Sequence, residues 1–253
     1  WPKNRLELIR DAVTGTDADA KTLQLKAGGT MRYDLLLLAT GAQSNKFGWP
    51  GQDLPRVQGL YSYQDLEALE ENTAGECRRG VIVGGGLIGI EIAEMLQTRG
   101  IPVSILVREQ NYWDNVLPLE EAQMVTREIR EHHIDLRLQT ELKEIVAGPD
   151  GSARSIVTNK ADTIECDVGG LTAGVSPQLG PLKDTGIETQ RGFMVDRYLK
   201  TSVPDVYAAG DCAQFREGEK ATPPPVEQLW YTGKMHGEIV GAQMAKRAAE
   251  IAG

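Results

Sequence analysis

The chain has 253 residues, of which 41% are hydrophobic and 25% charged, and a formal net charge of −9. This is a soluble globular composition, long enough for one large α/β domain or two of common size. The negative charge excludes a surface built for phosphate backbones, so no nucleic-acid partner is expected. No apolar run reaches the ~18 residues that a membrane span needs.

The cysteines, Cys77, Cys166 and Cys212, are far apart and form neither a CxxC nor a metal-ligand spacing. That usage suits a reducing cytoplasm and predicts no metal site. His132 and His133 close a charged helical segment and read as a solvated cap. The opening "WPKNRLELIR" lacks the apolar core of a signal peptide.

In chain order, "RLELIRDAV", "KTLQLKAGG" and "MRYDLLLLATG" read as an antiparallel meander feeding a buried strand, with turn residues between them. A Gly/Pro-rich connector follows, "GAQSNKFGWPGQDLP". Ser62 with Asp65 three residues on marks a capping-box start for the helix "DLEALEEN". The strand "GVIV" then runs into glycines and a helix from Ile90 to Arg99, followed by the β-branched strand "VSILV". "PLEEAQMVTREIREHH" carries Leu119, Met124, Val125 and Ile129 at helical spacing. The next segment alternates tightly, with a hairpin signal at Pro149–Gly151. A last helix is expected from about Glu227 to Ala249.

The strand–glycine–helix unit carries the chemistry. In Gly84-x-Gly86-x-x-Gly89 the first glycine serves the tight turn, the second the approach of a pyrophosphate, and the third close helix–strand packing. The helix start at Leu87 and Ile88 offers N–H groups to the phosphates. A dinucleotide site is therefore expected. An acid at the end of the second strand would bind the adenosine ribose, but that position is Val107 and Arg108 follows. Arg108 could pair with a 2′-phosphate, favouring NADPH. Glu109 could still reach the ribose, and Asp114 would repel a phosphate.

The flanks of this unit, "YDLLLLATGAQ" and "TSVPDVYAAGDCAQF", resemble signatures of the two-dinucleotide flavoproteins of the pyridine nucleotide-disulfide oxidoreductase superfamily. The resemblance implies an α/β fold in which a Rossmann-like NAD(P)-binding domain (46–178) is inserted into an FAD-binding domain (1–45 and 179–253) that includes an antiparallel β-meander. Thr40 and Gly41 match the turn that leaves the FAD domain. Gly210 and Asp211 match the turn whose aspartate bonds the flavin ribitol. "TAGVSPQ" matches the strand end with Ala173 and Gly174 near the nicotinamide, and Glu91 matches an acid near the nicotinamide–flavin contact. Glu227, Gln228 and Trp230 occupy the place of the flavin-facing helix start.

The resemblance also implies a fragment: the family's first GxGxxG would lie ahead of residue 1, and the C-terminal interface domain would lie beyond residue 253. It is nearest the non-disulfide group of nitrite reductase-type enzymes, rubredoxin or ferredoxin reductases and NADH oxidases. The implied activity is hydride transfer from NAD(P)H to FAD, with electrons passed to a small molecule or a redox protein and no side-chain catalyst. A homodimer is compatible with it. The alternatives are a flavin-free NAD(P) dehydrogenase and a non-catalytic redox-sensing module.

Overall fold

The computed structural model describes residues 6–182, 185–216 and 226–252. Arg5, the expected start of the first strand, lies outside them. The elements are β1 (Val13–Asp17), β2 (Thr22–Leu25), β3 (Thr30–Arg32), β4 (Leu36–Leu38), β5 (Ala42–Ser44), β6 (Val57–Gln58), α1 (Tyr63–Thr73), β7 (Gly80–Val83), α2 (Leu87–Gln97), β8 (Val103–Val107) and α3 (Leu119–Glu131). They continue with β9 (Asp135–Leu138), β10 (Leu142–Ala147), β11 (Ala153–Thr158), β12 (Thr163–Glu165), β13 (Val168–Leu171), β14 (Val175–Pro177), β15 (Phe193–Val195), β16 (Val206–Ala208), β17 (Ala213–Phe215) and α4 (Trp230–Ala252). The chain divides into two compact units, one of Trp1–Ala42 with Ser176–Gly253, the other of Gln43–Val175.

The 43–175 unit is built on a five-stranded sheet in the order β6-β13-β7-β8-β9. Its strand pairs are all parallel. Every residue of β7 and β8 is buried, which is why both read as near-continuous apolar runs, Ser104 being paired with Asp135: a parallel sheet is covered on both faces. Ile82, Ile92, Leu96, Ile105 and Ile129 fill one face under α2 and α3, while Val81, Leu106, Ile156 and Ile164 fill the other under the β10–β12 meander. Each fully buried aliphatic side chain contributes about 1.5–3 kcal/mol. The chain proceeds from β7 to β8 on one side, with β13 on the other. That reversal of strand order opens a crevice at the carboxyl ends, the usual ligand position in such sheets.

The other unit combines the antiparallel sheet β1-β2-β3 with the parallel pairs β4–β16 and β15–β17. Phe193, Val195, Leu199 and Tyr207 form its core with Val240 of α4. Asp205 accepts from Lys21 and Arg247, at 2.7 Å each, tying the meander and α4 to the start of β16.

Four expectations about elements need correction. The first strand is β1, not residues 5–13: Leu6, Leu8 and Ile9 are exposed, and no strand covers Leu6–Ala12. α2 begins at Leu87 rather than Ile90, because Gly86 is already its N-cap. α4 begins at Trp230, leaving Glu227 and Gln228 ahead of it. On α3 the buried face is Ala122, Thr126 and Ile129, while Leu119 and Met124 are exposed. Thr126 earns its place by accepting the Tyr112 N–H. The capping box, by contrast, forms: Asp65 N–H donates to Ser62 Oγ, and Asp65 accepts the Ser62 N–H at 2.8 Å. Burial raises the Asp65 pKa, but the N–H bonds from Ser62 and Tyr61 outweigh it and hold the carboxyl below its usual value.

Candidate functional site

The crevice of the 43–175 unit is a cleft of about 480 Å³. Gly84, Gly85 and Gly86 form its floor, Thr172–Gly174 one flank, and Arg108, Glu109, Trp113 and Val116 part of the rest. The three motif glycines do different work. Gly84 has φ +125°, and a Cβ there would lie 2.5 Å from the Thr172 carbonyl oxygen. Gly89 packs so closely that a Cβ would meet the Gly84 oxygen at 2.6 Å and Thr172 Oγ1 at 2.9 Å. A Cβ on Gly86 would meet nothing within 4 Å. Two glycines close the strand–helix joint, then, and the third keeps the cleft floor bare.

Gly86 caps α2 in an extended conformation (φ −109°, ψ −178°) with no side-chain cap. The first N–H groups of a helix have no intrahelical acceptor and carry the positive end of its dipole. Here they open beside a glycine floor, an arrangement suited to a pyrophosphate. Leu87 is exposed and Ile88 packs against the core, so their contribution is through main-chain N–H groups. Asn45 braces the far flank: its N–H donates to Gly174 O at 3.0 Å and its Nδ2 to Ala173 O at 3.2 Å.

At the end of β8, Val107 is buried beneath Gly85. Arg108 Nε donates to Glu109 Oε1 at 2.7 Å, the arginine side chain 74% exposed and the glutamate 24%. This bond and the carboxylate's charge raise the Arg108 pKa. Both groups line the cleft, so a 2′-phosphate would compete with Glu109 for the guanidinium. Asp114 accepts the Asn111 N–H and is not among the cleft's lining residues. Glu91 is exposed on α2 and likewise outside that lining.

The remaining expected residues lie in the other unit. Thr40 Oγ1 donates to Gln178 O at 2.5 Å, and Gly41, at φ +70°, accepts the Gln178 N–H. Gly210 sits at φ +73° in the turn Gly210–Cys212 that contains Asp211. The Gly210 N–H donates to His236 Nδ1 at 3.2 Å. Burial lowers the His236 pKa, against the opposing charges of Glu227 and Asp211. Gln228 buries its Nε2 without a hydrogen-bond partner in the described structure. Trp230 stands exposed against the edge of Tyr231. A left-handed glycine turn, an acid on it and a buried donor without an acceptor fit a polar ligand such as a flavin.

Sequence reasoning passed over Tyr112, Trp113 and His236. The first two lay in a segment without periodicity, and the last is made a partner of Gly210 only by tertiary packing. Among the described residues there is no cluster of His, Cys, Asp or Glu able to hold a metal, and Cys77, Cys166 and Cys212 are free.

Comparison with known proteins matches residues 3–237 to the family model described as pyridine nucleotide-disulphide oxidoreductase. Rhodocoxin reductase of Rhodococcus erythropolis is 32% identical over 203 residues, 80% of this chain and 47% of that protein. NADH-rubredoxin oxidoreductase of Clostridium acetobutylicum is 28% identical over 85% of this chain and 52% of its own length. The chain thus spans about half the length of the curated relatives it matches. Among solved structures, the ferredoxin reductase for the CYP199A2 system from Rhodopseudomonas palustris superposes with a TM-score of 0.88 at 26% identity, over 96% of this chain and 59% of that one. An engineered water-forming NADPH oxidase bound to NADPH, made from the Lactobacillus brevis NADH oxidase, gives 0.83 at 25% identity, over 94% of this chain and 53% of that one. With the family model covering nearly the whole sequence, the chain belongs to the pyridine nucleotide-disulphide oxidoreductase family.

Proposed function

We propose that the chain is the coenzyme-binding part of a flavin-dependent NAD(P)H oxidoreductase that delivers electrons to a small molecule or a redox protein. The observation that carries this reading is the bare Gly86 floor at the start of α2, inside a cleft flanked by the ends of β8 and β13. The pyrophosphate takes the Gly84–Gly86 loop and the α2 N–H groups, the adenosine lies toward Arg108 and Glu109, and the nicotinamide lies toward Ala173 and Gly174. FAD would be held through Gly210, Asp211 and Gln228, with Thr40, Gly41, Glu227 and Trp230 nearby. Flavin, when bound, supplies the acceptor for the nicotinamide's hydride. The side chains of this unit bind and orient the coenzyme, so the proximity term is theirs while the redox chemistry belongs to the cofactors.

The names of the relatives support an electron-transfer role: reductases of rhodocoxin, rubredoxin and ferredoxin recur among them. None of the described helices is long and apolar enough to cross a membrane, and we assign the protein to the cytoplasm. We take NADPH as the preferred coenzyme. The engineered NADPH oxidase exchanges an aspartate for alanine and the next residue for arginine; here the apolar Val107 ends β8 and Arg108 follows it. Titration with both coenzymes tests the cleft assignment: Gly86→Val must lose affinity for NADPH and NADH together. Visible flavin absorption after supply of FAD separates this reading from a flavin-free dehydrogenase or a sensor.

A further inference from the structure

The loop between β8 and α3 carries two adjacent aromatic residues, Tyr112 and Trp113, both packed on the helix-side core. Tyr112 is 2% exposed, and its hydroxyl donates to Gly86 O at 2.7 Å. That carbonyl also accepts the Gly89 and Ile90 N–H groups at the start of α2. The Tyr112 N–H donates to Thr126 Oγ1 on α3 at 2.8 Å, so Tyr112 joins the glycine loop to the neighbouring helix. Trp113 follows in a left-handed conformation, φ +66°. For an aromatic residue this is a strained backbone, held only where its surroundings dictate it. Trp113 lines the cleft beside Arg108 and Glu109 and is half-buried against the helix-side core.

We infer that Trp113 is the aromatic wall for the adenine ring, and that Tyr112 is a positioning residue that fixes this wall relative to the pyrophosphate loop. The inference rests on the coenzyme reading above and deepens it. The sheet order supplies the direction. β7 ends at the glycine loop, β13 flanks it on one side and β8 on the other, so Trp113 stands on the β8 side with the residues that face the adenosine ribose. Adenine presents a flat π-face that an aromatic ring can cover, and base–aromatic stacking is worth a measurable share of affinity. The phenol hydroxyl is a donor locked on the loop carbonyl. Burial pushes its pKa up to about 12, so it stays protonated as a donor.

The test is titration of the full chain with ADP-ribose, NADPH and reduced nicotinamide mononucleotide. Trp113→Ala is expected to raise the dissociation constants of ADP-ribose and NADPH alike, by about tenfold, which is 1.4 kcal/mol. The mononucleotide, which lacks adenine, keeps its affinity. Trp113→Phe retains a ring and most of the affinity, but loses the Trp113 share of the tryptophan fluorescence change on ADP-ribose binding, Trp49 of the same cleft keeping the rest; it carries the test should the alanine variant not fold. Tyr112→Phe removes one oxygen and weakens ADP-ribose severalfold with the fold intact. Unchanged ADP-ribose affinity in Trp113→Ala, an equal loss for the mononucleotide, or wild-type quenching in Trp113→Phe overturns the assignment. Wild-type protein that binds neither NADPH nor ADP-ribose overturns the coenzyme cleft itself, a distinguishable result.

Discussion

Gly86→Val places a branched side chain at the N-cap of α2, in an extended conformation that valine adopts readily. Nothing lies within 4 Å of the added Cβ, and no side-chain cap is lost. The stability change should be about 1 kcal/mol, the cost of putting valine at an N-cap. The same side chain fills the space over the helix N–H groups. Two charge-assisted hydrogen bonds to a pyrophosphate, at about 1.5–3 kcal/mol each, would be forfeited; the loss of affinity is then on the order of 10²-fold or more. Gly84→Ala should do the reverse. It forces alanine to φ +125° and sets a Cβ 2.5 Å from the backbone of Thr172, costing about 1–3 kcal/mol in strain and a similar amount in displaced backbone. Urea unfolding followed by circular dichroism, paired with NADPH titration calorimetry, measures both quantities. The reasoning fails if Gly86→Val binds NADPH like wild type, or if its unfolding midpoint falls as far as that of Gly84→Ala.

Two further outcomes are expected. Arg108→Ala should weaken NADPH binding by about tenfold, the low end for a charge-assisted bond because the guanidinium is mostly exposed, and leave NADH little changed; equal losses in the two dissociation constants would mean that Arg108 only positions Glu109. The 1–42/176–253 unit should lose stability on mild acidification. His236 is held neutral, with its pKa below the usual 6.5, so its contribution is complete above about pH 6.5 and is lost as pH falls through the lowered value, when a protonated Nδ1 can no longer accept the Gly210 N–H. Unfolding midpoints between about pH 7.5 and 5 check this; His236→Asn should flatten the slope, and an unchanged slope would contradict it.

What could be read in the sequence was what local chemistry dictates. The glycine loop was legible because its turn, approach and packing demands leave glycine as the residue that meets all three, and β7 and β8 because burial on both faces forces near-continuous apolar runs. The Ser62–Asp65 capping box is equally local. The failures come from tertiary context. Residues 6–12 alternate well enough for a strand but form none, and their apolar side chains Leu6, Leu8 and Ile9 stay exposed. α3 spends Thr126 on a hydrogen bond to Tyr112, so its buried face is less apolar than its exposed Leu119 and Met124 suggest. Trp113 reaches the cleft through a left-handed backbone that no periodicity announces. His236 meets Gly210 across 26 residues of chain, a contact invisible to spacing rules.

The most direct test of the electron path is anaerobic addition of one equivalent of NADPH to the purified protein after loading with FAD. The account predicts a visible flavin band that survives removal of free FAD and bleaches as NADPH is oxidised one for one, with NADH needing a higher concentration for the same effect. NADPH that binds in the cleft while the flavin stays oxidised, or a protein that holds no flavin when FAD is supplied, would contradict it.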